Sequence, residues 1–141
     1  MGFVNNTPME NIKKGRFAYI QFVGDILYVK FRKGKRIDIL AANEIVAQRM
    51  TFHKDKALAV ICDVSNVRFV DLAAREYLAI EGSIFVKVLA IVAKHKTAAV
   101  MVQHFLVSYP PELPTGVFNN KLEATQFIVD ELNKMNEKEK K

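Results

Sequence analysis

The sequence predicts an α/β fold, a mixed and mostly parallel five-stranded sheet with about four helices. Three observations point there. Two short runs, Leu58 to Cys62 and Val86 to Ala93, are apolar almost without interruption and rich in β-branched residues, as in strands covered on both faces. Around them stand longer stretches whose apolar residues recur at helical spacing. Ahead of them, Arg16 to Val23 and Ile26 to Phe31 alternate on either side of Gly24-Asp25, which reads as a β-hairpin.

Taken in order, residues 1–15 are polar and unpatterned and read as a loose arm before a single domain over 16–135. The hairpin presents Ala18, Ile20 and Phe22 on one face and Phe17, Tyr19 and Gln21 on the other. Lys30 to Arg36 then carries five positive charges in seven residues, with Gly34 as the turn. Asp38 caps a first helix whose apolar face is Ile39, Ala42, Ile45, Val46 and Met50. The strand at 58–62 ends on Asp63, and a polar loop leads to Asp71. That residue caps a second helix carrying Ala74, Tyr77, Leu78 and Glu81 at helical spacing. After the strand at 86–93, Ala98, Met101, Val102, Phe105 and Leu106 mark a third helix, ended by Pro110, Pro111 and Pro114. Thr115 to Phe118 fits a short last strand. Asn120 and Glu123 then resemble a capping box ahead of a final helix with Ala124, Phe127, Ile128, Leu132 and Met135, and residues 136–141 are expected to fray. Strands alternating with helices after one hairpin give a parallel sheet with an antiparallel edge.

Composition bounds the chemistry. With 141 residues, half of them hydrophobic, the chain suits one globular domain. Its net charge of +6 favours anionic partners without naming one. Cys62 is the only cysteine and lies in a core strand, so neither a disulfide nor a cysteine metal site is expected, and the thiol reads as inert. His53, His95 and His104 lack ligand spacing, and there is no glycine-rich phosphate loop or nucleophile elbow. Neither catalysis nor a cofactor is expected. The basic run at 30–36 lacks free aromatics for stacking, so it reads as a solvated turn and nucleic acid is not an expected partner. No apolar run approaches the length of a membrane span and no leader pattern opens the chain, which predicts a cytoplasmic protein.

One motif is more specific. Asp63, Ser65, Val67, Val70 and Asp71 match in register a signature that runs Asp-x-Ser-x-Val, two spacers, an aliphatic residue and then Asp-Ser-Ser-Gly. On these residues the chain resembles the STAS domain, shared by bacterial anti-sigma factor antagonists and the cytoplasmic ends of sulfate transporters. The resemblance implies the same order of elements over residues 16–135. It also implies an interaction module whose contacts lie around the second helix. Antagonists are switched by phosphorylation of a serine just after the second aspartate. Leu72, Ala73 and Ala74 stand here instead, so that switch is expected to be absent.

The strand carboxyl ends and helix amino ends should meet at one polar edge, which favours an anion. Arg36, Asp63, Ser65, Asn66, Arg68, Asp71, Arg75 and Lys96 are the candidate contacts there. The first functional expectation is a non-catalytic module that binds a protein through the loop 63–71 and the helix after it, with Tyr77 as a further contact. The alternative is a carrier of a small or lipid-like ligand, because the resemblance also implies kinship with CRAL-TRIO lipid-exchange domains, and Met101 and Phe105 suit the wall of an apolar pocket. Right-handed crossovers should place the helices on one face of the sheet. The other face, with Phe17, Tyr19 and Tyr28, would then be uncovered, which predicts a homodimer through it.

Overall fold

In the computed structural model, which describes residues 12–139, the expected strands form one sheet with a further strand at its edge. The elements are β1 (Ile12–Lys14), β2 (Ala18–Val23), β3 (Ile26–Phe31), β4 (Arg36–Ile37), α1 (Ile39–His53), β5 (Leu58–Asp63), β6 (Phe69–Val70), α2 (Leu72–Glu81), β7 (Val86–Val92), α3 (Lys96–Ser108), β8 (Thr115–Phe118) and α4 (Lys121–Glu139). The main sheet runs β1-β2-β3-β5-β7-β8. Its first two pairs are antiparallel and its last three parallel. Gly24, at a φ of 64°, makes the left-handed turn between β2 and β3.

Three expectations are corrected. Residues 12–14 are not part of a loose arm, because Ile12, Lys13 and Lys14 pair with Gln21, Ile20 and Tyr19; the arm's residues 1–11 lie outside the described range. The last helix continues to Glu139 rather than fraying from residue 136. The third correction concerns the sheet's second face. Alternation along β5 and β7 sends Val60 and Cys62 toward the side of α1 and α2, and Ala59, Ile61, Val88, Ala90 and Val92 to the opposite side. There α4 lies across the sheet, burying Ala124 and Ile128 against those five residues, with Phe127, Leu132 and Met135 around them. The face is therefore covered by a helix, and the dimer expected from its exposure loses that premise.

The two-residue strands β4 and β6 form a separate parallel pair in which Arg36 faces Phe69 and Ile37 faces Val70. Each runs directly into a helix through an aspartate. Asp38 Oδ1 accepts from the Ala41 N–H and Asp71 Oδ1 from the Ala74 N–H, both at 2.9 Å. The register of the small sheet thus sets the amino ends of α1 and α2 side by side. Ile37, Ala41, Ala42, Ile45 and Ala74 are buried between these helices and β2, β3 and β5.

Candidate functional site

The expected polar edge exists, but most of its carboxylates and amides are occupied by the fold. Asp63 is almost completely buried on the α4 side; its Oδ1 accepts from the Ser65 N–H at 3.0 Å and its Oδ2 from the Tyr28 hydroxyl at 3.3 Å. Lys94 Nζ stands 3.7 Å from Oδ2. Ser65 Oγ accepts from the Lys94 N–H, and Asn66 Nδ2 donates to the carbonyl of Phe31. These contacts tie the loop after β5 to its neighbours, and with Asp71 serving as a helix cap they leave little of the 63–71 motif for a partner. The Arg36 guanidinium lies 4.3 Å from the centre of the Phe69 ring. Arg68, Arg75 and Lys96 are exposed, whereas Tyr77 is partly buried against the core rather than free as a contact.

The three aromatic residues of the expected dimer face are also engaged. Phe17 packs against the α1 and α2 core and has the Arg16 guanidinium over its ring. Tyr19 is covered in part by Arg32. Tyr28 packs beside the α4 core with Lys121 Nζ 4.4 Å from its ring centre. Burial and the adjacent Asp63 carboxylate push the Tyr28 hydroxyl up to about 12.

The larger feature lies on the opposite face of the sheet. Between α2 and α3 a cleft of about 1060 Å³ opens, floored by Val29, Val60, Cys62 and Leu89 and walled by Leu78 and Ala79 of α2 and Met101 and Phe105 of α3. That volume is just above the range of roughly 300–1,000 Å³ typical of small-molecule sites. The helical spacing of Met101 and Phe105 is what made them candidates for a pocket wall, and both line it. Leu113, two residues after Pro111, lines it as well.

Sequence reasoning missed the polar group at the α1 side of this cleft. Arg49 lines it and is only 5% exposed. Its Nη1 donates to the carbonyl of Ile84 at 3.1 Å, and its Nη2 to those of Gly82 at 3.2 Å and Glu81 at 3.4 Å. It thereby satisfies carbonyls at the carboxyl end of α2. Nη1 also lies 2.6 Å from His53 Nε2. An arginine only donates, so Nε2 is the acceptor, and Nδ1 carries the proton given to the Lys56 carbonyl at 2.9 Å. Burial and the adjacent guanidinium push His53 below its ordinary range. The signal was present as the spacing Ile45, Arg49, His53, which places both polar residues on the buried stripe.

Among the described residues no three of His, Cys, Asp and Glu come together as a metal could use them, and no helix is long and apolar enough to cross a membrane. Cys62, at the cleft floor, has its thiol pushed up to about 12 by burial and by Asp63. At pH 8 its thiolate population should be on the order of a thousandfold below that of a free cysteine. Iodoacetamide should accordingly label it very slowly in the native protein and at the ordinary rate in denaturant. Equal rates in both would show that the strand does not shield it.

A strand-loop-helix unit at the centre of a mostly parallel sheet, with helices on both faces and a capping aspartate at the end of the loop that follows β5, defines a STAS-like α/β fold. The fold is shared with an uncharacterized protein of the DUF3478 family from Shewanella loihica PV-4, whose crystal structure has a SpoIIAA-like fold. That structure covers 83% of this chain and 89% of its own at a TM-score of 0.56 and 11% identity. The chain belongs to the family described as Domain of unknown function (DUF7793), which matches residues 19–131. No curated protein matches it.

Proposed function

We propose that the protein is a non-catalytic STAS-like module that carries a small apolar or amphipathic ligand in the cleft between α2 and α3. The observation that carries this reading is the cleft itself, a large concave space between two helices and a sheet whose lining is mostly apolar with a few polar groups. Antagonist-type phosphorylation has no acceptor in it: the first turn of α2 offers Leu72, Ala73 and Ala74. Native mass spectrometry of protein purified from its own host should find a bound apolar mass that denaturation releases. Straight-chain ligands added to the emptied protein should gain about fourfold in affinity per methylene until the cleft is filled. A host-purified protein at its bare mass, together with no dependence on chain length, would sink the proposal.

A second reading keeps the partner site at the amino ends of α1 and α2. It is favoured by the exposure of Leu40, Phe69 and Leu72 close to Arg68, because β4 and β6 bring these apolar residues to one edge. On this reading Leu72→Glu abolishes binding of one specific protein and leaves ligand binding in the cleft intact.

A further inference from the structure

The walls of the cleft are apolar, but its charges do not balance. Arg49 and Arg75 line it together with one acidic residue, Glu112. Arg75 is exposed to water, which screens it. Arg49 is buried, and all four of its bonded contacts go to neutral groups, three carbonyls and an imidazole. Among the described residues no carboxylate pairs with it, and its Nε–H donates to no protein acceptor, which leaves that N–H open to solvent or to a ligand. The carboxyl end of α2 offsets about half an elementary charge. The remainder sits at the wall of an apolar space, where an uncompensated charge is costly.

We infer that the cleft takes an amphipathic monoanion, with its alkyl chain along the apolar walls and a carboxylate at Arg49. The inference rests on the carrier reading above and specifies its ligand class. The residual positive charge at Arg49 and one N–H without a protein acceptor match a single carboxylate, and the 3.4 Å contact to Glu81 is long enough to yield a second donor. A dianionic phosphate monoester would exchange one uncompensated charge for another.

The test uses the full chain and three probes with the same alkyl group: dodecanoate, dodecanol and dodecyl phosphate. A purely apolar cleft would prefer dodecanol, whose neutral head is cheapest to remove from water. Calorimetric titration should instead find dodecanoate bound about tenfold more tightly than dodecanol, or better, the fold-change given by a charge-assisted hydrogen bond, with dodecyl phosphate weaker than dodecanoate. In protein labelled at its arginine side chains, dodecanoate should move the Arg49 resonance and dodecanol should not. Dodecanol binding as well as or better than dodecanoate, dodecyl phosphate binding best, or a shift at Arg75 in place of Arg49 would each overturn the inference while leaving the cleft as a ligand site. Failure of all three probes to bind would overturn the inference and count against the carrier reading itself.

Discussion

Arg49→Ala should lower the stability of the protein by about 1–3 kcal/mol, the range for leaving buried acceptors without their donor. The loss has two sources. The carbonyls of Glu81, Gly82 and Ile84 and the Nε2 of His53 lose a donor inside the protein, and α1 loses the side chain that ties it to the end of α2. Urea unfolding at neutral pH measures this as a lower midpoint with an unchanged slope. The same site gives the wild type an acid dependence of known sign. His53 is held below its ordinary value of 6.5, so the native state resists protonation there and the unfolded chain does not. The stabilisation is complete above that value and falls away as the pH drops below it. A variant that unfolds at the wild-type urea concentration would show that Arg49 is dispensable to the packing of α1 on α2.

Ile128→Ala should cost about 2–5 kcal/mol, as expected when a fully buried aliphatic side chain is cut back and its cavity persists. Ile128 sits between α4 and the strands β5 and β7, packed with Ile61, Val88 and Ala90. Leu122 is on the same helix but 81% exposed, and Leu122→Ala should stay within about 0.5 kcal/mol of the wild type. The contrast between the two separates burial on the sheet from helix propensity, since both exchanges favour the helix alike or nearly so. Equal effects of the two substitutions would mean that α4 does not lie on the sheet as described.

The route of the chain was legible because each main element carries its own local signal. Gly24-Asp25 marks the hairpin, Asp38 and Asp71 mark helix starts, and the apolar runs mark the central strands. The side of the sheet that α4 covers was not legible. Its apolar positions Ala124, Phe127 and Ile128 were plain, but the handedness rule fixes a helix only when it leads back to another parallel strand, and α4 follows the last one. The strands β4 and β6 escaped because two residues cannot display a period. At the candidate sites, Met101 and Phe105 were legible through helical spacing, whereas the near-complete burial of Asp63 and the role of Arg49 were not. A charged residue in sequence reads as solvated, and only tertiary structure shows that Tyr28 and the backbone of Ser65 reach Asp63, or that α2 ends its carbonyls at Arg49.

The first strand of the sheet has a bearing on solubility. An open sheet has two outer strands, and each offers unpaired backbone groups to any passing chain. Among the described residues those strands are β1, with three residues, and β8, with four. Such short rims give a neighbouring molecule little ladder to extend. Because β1 pairs along half of β2, the three residues Ile12–Lys14 shelter a longer and more apolar strand, Ala18–Val23, that would otherwise form the rim. The brief segment ahead of the hairpin therefore acts as a guard against intermolecular strand pairing, and it ends on Lys14, whose exposed side chain is of the type most suited to keeping other strands away.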